Sequence, residues 1–377
     1  MIYLAVLAVI IGIGIGIIPV QKYENLKDGR LVKTVTIGKI SIHFRLSSIL
    51  WFTIFLILLL FGGLRYGVGT DFFSYTELFE QVSYQPAAYL FHTSRFSYME
   101  WGYIFLNVVV SLLSKNPQAI MLVTSGIIAI LFLYRIRKSS PFYPFSLYLF
   151  FTYFIWAFNG IRQGIAMAIA FFAYEYAKQK KWIKCAVLIL TAALFHKTVL
   201  IMFLLYLVCQ LTYPVYIYIV AIAGSAVTLL FQKPISYFLI KAFYPIYLEE
   251  QYASLNIFGK FSEVQFIVSF GALLIAIRYY KKWKDSKQIF VFNLTLVLFI
   301  CNTFFFWIPF WDRLQVYFNC LYALLIPQLI TQESNKKIRF LIYLFIWGLL
   351  LTFFIIPPLA FHQESMINYY SSILFLN

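Results

Sequence analysis

The stretch SSILWFTIFLILLLFGGLRYGVGTD, residues 47–71, joins an apolar run to a short polar segment. The run, residues 47–64, is close to the length of helix that crosses about 30 Å of hydrocarbon. The segment from Arg65 to Asp71 then supplies a guanidinium, two glycines, a hydroxyl and a carboxylate. Charged groups are costly beside hydrocarbon, so they usually serve a ligand, a partner or a reaction. The alternative interpretation is a solvated turn, which Gly67 and Gly69 would permit.

Composition assigns the class of protein. Hydrophobic residues make up 62% of the 377 residues and charged residues only 12%, where a soluble domain carries about 25% charged residues. Apolar runs of spanning length recur along the chain and predict an all-α polytopic integral membrane protein, a single transmembrane domain over residues 1–377 with about 12 spans (roughly 10–14). Residues 2–20 are predicted to be a retained first helix, with Gly12 and Gly16 as a packing face.

The basic residues predict the orientation of the spans. The net charge is +16, and 21 of the 30 Lys and Arg residues fall in alternate segments between the apolar runs. Basic residues concentrate in cytoplasmic loops, so these segments are predicted to be cytoplasmic and the N-terminus to lie outside. This pattern accounts for the positive charge without a nucleic-acid partner. The four cysteines lie in or beside apolar runs and are predicted to be small hydrophobic fillers.

Two polar segments are predicted to be loops at the outer face, residues 65–99 and the tyrosine-rich residues 233–262. After the first of them, polar residues recur at steps of three and four over residues 100–114 and so share one helix face. They are Glu100, Tyr103, Asn107, Ser111 and Ser114. A short helix with one polar stripe is predicted to lie at the interface or to line a cavity.

With this orientation, the outer ends of the helices collect several chemically capable residues. Asn159 and Asp312 each precede a helix predicted to run inward, with Arg162 and Arg313 in the first turns. Free backbone N–H groups, the positive helix end and a guanidinium together bind anions, and the planar arginine head suits phosphate oxygens. The alternative is that each arginine reaches lipid headgroups or pairs with a nearby acid.

Two residues are candidates for a general base, Asp71 and His196, and the sequence leaves the choice between them open. His196 can equally be a hydrogen-bonded residue at a helix end, and Asp71 can orient Arg65. Sequence signatures of metalloproteases, metal-dependent sugar-nucleotide transferases, ATPases and serine hydrolases are missing from the chain. We therefore predict no metal and no cofactor.

Several of these residues, in this order, resemble the EpsG branch of Wzy-type exopolysaccharide polymerases. The likeness covers residues 60–320 and is carried by Arg65 to Asp71 with Tyr75, Glu100-Trp101-Gly102-Tyr103 with Asn107, Asn159 to Ala166, Phe195-His196-Lys197-Thr198, and Asp312-Arg313. The resemblance implies a bacterial inner-membrane enzyme that polymerises oligosaccharide units carried on undecaprenyl diphosphate, with its active site facing the periplasm. Polyprenyl diphosphate would be the leaving group, and a chain-length-regulating co-polymerase is a possible partner.

Site residues follow from the outer-face set and the resemblance together. Catalytic roles are predicted for Asp71, His196 and Arg162. Substrate-binding roles, for the diphosphate or the glycan, are predicted for Arg65, Gly69, Glu100, Asn159, Gln163, Lys197, Asp312 and Arg313.

Two other functions are compatible with a polytopic membrane protein. A flippase for lipid-linked oligosaccharides would need cations inside a central cavity, whereas the cations here lie at helix ends. A membrane-bound polysaccharide acyltransferase would need a histidine reachable from the cytoplasm, and His196 is predicted to lie outside.

The predicted orientation can be tested by cysteine labelling in intact cells. In a background with the four native cysteines replaced by serine, His196→Cys should react with a membrane-impermeant maleimide added outside, and Lys181→Cys should not, because Lys181 lies in a predicted cytoplasmic segment. Labelling of position 196 only from the cytoplasmic side would contradict this orientation and favour the acyltransferase.

Overall fold

The computed structural model describes residues 2–26, 32–37, 40–85, 99–243, 263–280, 289–305, 311–344 and 348. Helices dominate this part of the chain. Their bounds are α1 Ile2–Leu26, α2 Leu46–Gly63, α3 Phe72–Tyr84, α4 Trp101–Leu113, α5 Gln118–Ser139, α6 Tyr143–Trp156, α7 Ile161–Lys178, α8 Trp182–Ala193, a 3₁₀ turn Lys197–Leu200, α9 Ile201–Val208, α10 Val215–Phe243, α11 Glu263–Arg278, α12 Ile289–Thr303, α13 Trp311–Asn319 and α14 Tyr322–Ile330.

A small β-hairpin departs from the all-helical prediction. Strands β1 (Val32–Ile37) and β2 (Ile40–Arg45) pair antiparallel within the basic segment that the sequence predicted as a loop. Strand β1 is rich in β-branched residues, which favour this conformation: Val32, Thr34, Val35, Thr36 and Ile37. Helix α2 begins at Leu46, directly after the hairpin.

The chain divides into two compact units. The first contains the described residues up to Phe172 together with Leu190–Lys197, and the second contains Ala173–Ile189 and the described residues from Thr198 onwards. In the first unit, α2 packs along α5, α1 packs against α6, and α3 packs on α4. Stacked rings fill its core, where Phe132 lies 4.7 Å from Phe150 and 4.3 Å from Phe171 between ring centroids.

Three helices in the described part of the chain are long and apolar enough to cross a membrane: Ile2–Lys22, Leu46–Gly63 and Gln118–Ser139. Six further apolar helices are shorter, 10–17 residues each. A helix rises about 1.5 Å per residue, so these pieces fall short of the full hydrocarbon thickness by themselves. The structure therefore supports a helical membrane protein, while the predicted twelve spans stay a prediction. Most of the last predicted span, residues 340–357, lies outside the described residues.

Helix α4 turns its polar stripe inward. The side chains of Tyr103, Asn107 and Ser111 are 0% exposed. Large apolar side chains of the same helix are exposed, at 62% for Trp101, 58% for Phe105 and 71% for Leu112. The grouping of polar residues on one face was predicted correctly, and that face packs within the first unit.

Two predicted loops contain regular structure. Residues 72–84 of the predicted loop 65–99 form the amphipathic helix α3, which buries Phe72, Tyr75, Phe79 and Val82. Helix α10 continues to Phe243, so the predicted loop 233–262 begins at least ten residues too early. Hydrophobic residues at helical spacing continue through both segments and outweigh their polar content. Residues 244–262 lie outside the described part of the chain.

Close packing of α1 depends on Gly14. A Cβ at Gly14 would lie 2.7 Å from Leu147 Cδ1, whereas one at Gly12 or Gly16 would meet no described atom within 4 Å. Among the described residues, α1 therefore packs on α6 through Gly14, and the predicted packing face at Gly12 and Gly16 makes no close contact there.

The second unit is built around α12, which packs against α10 and α11. Nearly every residue of α12 is buried, and Asn293 accepts a hydrogen bond from Tyr218 at 2.6 Å. The four cysteines all lie in this unit, buried and without a disulfide, as expected for hydrophobic fillers.

The segment after α2 turns sharply at two glycines. Gly67 has φ +65° and Gly69 has φ +101°, both in the region that side chains rarely adopt. A Cβ at Gly67 would approach only Phe73, at 3.7 Å, but one at Gly69 would collide with the carbonyl oxygen of Phe158. Gly69 therefore permits both the turn and the close approach of residues 157–160.

These two glycines form a matched pair for a stability test. Gly67→Ala should lower the free energy of unfolding by about 1 kcal/mol, since only the left-handed conformation is penalised. Gly69→Ala should lower the free energy of unfolding several-fold more, because the collision with a backbone carbonyl adds to the backbone strain. Thermal unfolding of the two variants in one detergent measures the difference, and equal melting temperatures would contradict the contact at Gly69.

Candidate functional site

Arg65 is an interior residue. Its side chain is 1% exposed, and its guanidinium carbon lies 4.4 Å from the ring centroid of Phe158. Nη1 donates to the carbonyl of Gly62 and to Ser125 Oγ at 3.3 Å, and Nη2 lies 3.4 Å from Met121 Sδ. The cation thus ties the end of α2 to α5 and to the turn before α7.

A second contact holds the Arg65–Asp71 segment to the same turn. The backbone N–H of Thr70 donates to Asn159 Oδ1 at 3.1 Å, beside the close approach of Gly69 to Phe158. Asn159 precedes α7, as the sequence predicted. The helix begins two residues later, at Ile161, and the Asn159 amide oxygen fixes the neighbouring segment.

The centre of the site is the carboxylate of Glu100, at the start of α4. It pairs with Nη1 of Arg162 through Oε2 and with Nδ1 of His196 at 3.1 Å through Oε1. The backbone N–H of Lys197 donates to the same Oε1 at 3.4 Å. The Glu100 side chain is 9% exposed, against 20% for Arg162 and 24% for His196. Both partners of the buried acid therefore reach solvent.

Backbone contacts bring these residues together. Gly102 N–H donates to the carbonyl of Leu194 at 2.8 Å, which joins the first turn of α4 to the end of α8. A Cβ at Gly102 would lie 2.7 Å from that oxygen, so only glycine allows the approach. His196 follows two residues after Leu194, and Arg162 lies in the first turn of α7.

Electrostatics keep Glu100 ionised. Burial by itself would raise the pKa of this carboxyl, but the hydrogen bond with His196 and the charge of Arg162 outweigh it and lower the pKa to about 2. An ionised carboxylate accepts hydrogen bonds from both neighbours. It holds the imidazole through Nδ1, which leaves the other ring nitrogen for exchange of a proton.

Tyr75 is a member of this cluster that the sequence did not single out as a site residue. It is 3% exposed, its hydroxyl lies beside the guanidinium of Arg162, and its ring lies edge-on to Tyr103 with centroids 5.5 Å apart. Burial raises the pKa of Tyr75, and the nearby guanidinium partly offsets that rise. The spacing of Phe72, Tyr75 and Phe79 on one face of a helix was the available signal.

The remaining predicted site residues lie elsewhere. The Asp71 carboxylate is exposed, accepts a hydrogen bond from the Thr70 hydroxyl at 3.3 Å, and is close enough to Tyr75 to raise the pKa of that phenol. Gln163 is buried at 6% exposure. Asp312 and Arg313 lie in the first turn of α13, in the second unit, and Arg313 is exposed; the side chain of Asp312 is outside the described residues.

Among the described residues, no group of His, Cys, Asp and Glu side chains is arranged to hold a metal ion.

Comparison with known proteins gives a match to a family model. No curated protein and no solved structure matches the chain. The model of the EpsG family matches residues 48–371, most of the chain and all of the site described above. The chain therefore belongs to the EpsG family, the family of Wzy-like exopolysaccharide polymerases.

Proposed function

We propose that this protein joins oligosaccharide repeat units carried on undecaprenyl diphosphate into an exopolysaccharide, at the outer face of the bacterial cytoplasmic membrane. Family membership supports polysaccharide polymerisation in general. The observation that carries the specific proposal is the placement of Glu100 between Arg162 and His196. One buried acid then positions both a cation suited to a diphosphate and an imidazole suited to a hydroxyl.

Arg162 is assigned to the diphosphate. It lies in the first turn of α7, where the helix dipole adds positive potential. Glu100 pairs with Nη1 of Arg162 and the Tyr75 hydroxyl lies beside the guanidinium, while the 20% exposure of the arginine side chain leaves room for a ligand. Negative charge grows on the diphosphate oxygen as the bond to the sugar breaks, and a fixed guanidinium stabilises that charge.

His196 is assigned as the general base. Its Nδ1 is held by Glu100, so Nε2 is the nitrogen that takes the proton of the acceptor hydroxyl. The acceptor oxygen forms the new bond to the anomeric carbon of the donor. The bond from that carbon to the diphosphate breaks, and its electron pair leaves with the polyprenyl diphosphate. No metal ion is needed in this scheme, because the leaving group is already activated.

The other candidates take supporting roles in the proposal. Arg65, Gly69 and Asn159 hold the Arg65–Asp71 segment in place through contacts within the protein. This segment leads directly into α3, the helix that carries Tyr75. Gln163, Lys197, Asp312 and Arg313 are assigned to substrate binding, and Asp71 is the alternative base. A co-polymerase that regulates chain length is a further expected partner.

Arg162→Ala should reduce polymerisation at least about 100-fold, the usual effect of removing one group that stabilises developing charge. The assay is the ladder of products that purified protein forms from one lipid-linked repeat unit. The matched control is Arg278→Ala, since Arg278 pairs with Glu333 at 3.5 Å in the second unit. An undiminished ladder in Arg162→Ala would exclude this residue, and flipping of the substrate without polymer would favour a transporter.

The two candidate bases are separated by substitution. If His196 is the base, His196→Gln should lose about 100- to 10,000-fold in rate, the usual effect of removing a general acid–base group. Asp71→Asn should then keep most of the rate. The reverse pattern would assign the base to Asp71.

The lowered pKa of Glu100 also predicts that the stability of the fold depends on pH. Its pKa falls from 4.5 in the unfolded chain to about 2 in the folded protein. The ionised carboxylate therefore stabilises the fold fully above about pH 4.5, and that contribution is lost as the pH falls toward about 2. Glu100→Gln should melt at a lower temperature than the wild type at neutral pH, and the gap should narrow in acid. A gap independent of pH would contradict the ion pairs.

A further inference from the structure

A groove beside the catalytic cluster has the lining of a carbohydrate site. It has a volume of about 520 Å³ and lies in the first unit. Its lining residues come from the Arg65–Asp71 segment, from α3 and from the start of α5: Tyr66, Phe72, Phe73, Thr76, Glu77, Glu80, Asn116, Pro117 and Gln118. This volume is within the usual range for small-molecule sites. We propose that this groove binds the glycan portion of the substrate and selects neutral or amino sugars over acidic ones.

Exposed aromatic rings supply one half of the recognition. Tyr66 is 57% exposed and Phe73 is 60% exposed, and their ring centroids lie 6.2 Å apart at an interplanar angle of 90°. Phe72 is buried beneath them, 5.5 Å from Tyr66. The C–H face of a pyranose ring packs on such surfaces, because aromatic rings present large apolar area with a negative face.

Carboxylates supply the other half. Glu77 and Glu80 lie on the groove face of α3 with Thr76, and Gln81 Nε2 donates to Glu77 Oε1 at 3.0 Å. Carboxylate oxygens accept several hydrogen bonds, so they suit the hydroxyl rim of a sugar or the ammonium group of an amino sugar. Two negative charges in one groove repel a uronic acid.

The groove offers little to an anion within the described part of the chain. Two backbone N–H groups at the N-terminus of α5 are already used, since that of Gln118 donates to Asn116 Oδ1 at 2.8 Å and that of Ala119 donates to the Asn116 carbonyl at 2.9 Å. The ammonium of Lys115 donates to the carbonyl of Ser83 at 2.8 Å. This lining distinguishes the groove from the diphosphate site proposed at Arg162.

Helix α3 connects the groove to the catalytic cluster. Tyr75 projects from one side of the helix to Arg162, while Phe73, Thr76, Glu77 and Glu80 line the groove from the other side. The two sites are therefore separated by about the width of a helix, roughly 10 Å. A short oligosaccharide spans this distance, which allows its reacting end to lie at His196 while inner sugars occupy the groove. This placement rests on the proposed function.

Binding can be measured without any reaction. The probes are three oligosaccharides of equal length, neutral chito-oligosaccharide, its cationic deacetylated form and anionic oligogalacturonate, tested by saturation-transfer NMR and titration with the detergent-purified full chain. Saturation transfer from the protein to the neutral and cationic probes should be observed. The anionic probe should bind at least about tenfold more weakly. Equal or tighter binding of the anionic probe, or no binding of any of the three, would overturn the proposal.

Matched variants locate the binding. Phe73→Ala and Glu80→Gln should each weaken binding of the neutral probe about tenfold. Phe105→Ala is the aromatic control, because Phe105 is 58% exposed on α4 and does not line the groove. Glu175→Gln is the carboxylate control, because Glu175 lies in the second unit. Equal weakening by the controls, or binding unchanged in Phe73→Ala and Glu80→Gln, would exclude the groove.

The result is separable from the polymerase proposal. Arg162→Ala should keep probe binding while losing the product ladder. Probe binding with no ladder from the wild-type protein would disprove the polymerase and leave the glycan site standing. A ladder formed with normal efficiency by Phe73→Ala and Glu80→Gln, together with no probe binding, would disprove the glycan site alone.

Discussion

The ionised side chain of Glu100 is the constraint on which the site depends. A carboxylate that is 9% exposed needs partners for its charge, and it has Arg162 on one oxygen and His196 on the other. Such a group is costly to bury alone, so the fold must bring both partners to it. That requirement explains the close approach of α4 to Leu194 at Gly102 and the interlocked turns at Gly69 and Asn159. The same arrangement is useful chemically, because a fixed cation and an oriented imidazole then lie on either side of one acid.

Arg65 and Arg162, both in the first unit, illustrate how environment divides roles between like residues. Arg65 is enclosed by Gly62, Ser125, Met121 and Phe158, so its charge is used to join helices. Arg162 keeps a fifth of its side chain accessible at the start of α7. A guanidinium with solvent access can exchange water for phosphate oxygens, whereas an enclosed one cannot do so without loss of its packing. We therefore place the diphosphate at Arg162 and give Arg65 a supporting role.

Helix α3 links the chemistry to recognition of the glycan in the proposed scheme. Its buried face carries Tyr75 to Arg162, and its other face carries Phe73, Glu77 and Glu80 to the groove. A rigid helix keeps these two faces at a constant separation. A polymerase that handles one repeating unit benefits from such spacing, because sugars bound in the groove fix the position of the reacting end. The chemical differences between the faces, cationic on one side and acidic with aromatic rings on the other, separate diphosphate from glycan.

The sequence by itself determined the class of protein and the position of most helices, because hydrophobic runs and helical periodicity are local properties. The polar face of α4, the start of α7 near Arg162 and the breaks around α5 were all predictable in this way. The tertiary structure decided which polar residues meet. Glu100 and His196 are 96 residues apart, and Thr70 and Asn159 are 89 apart. Local sequence patterns do not show which residues so far apart along the chain meet in space. Helix rotation and the close contacts of Gly69, Gly102 and Gly14 decide those meetings. The interior position of Arg65 and the membership of Tyr75 in the site depend on packing for the same reason.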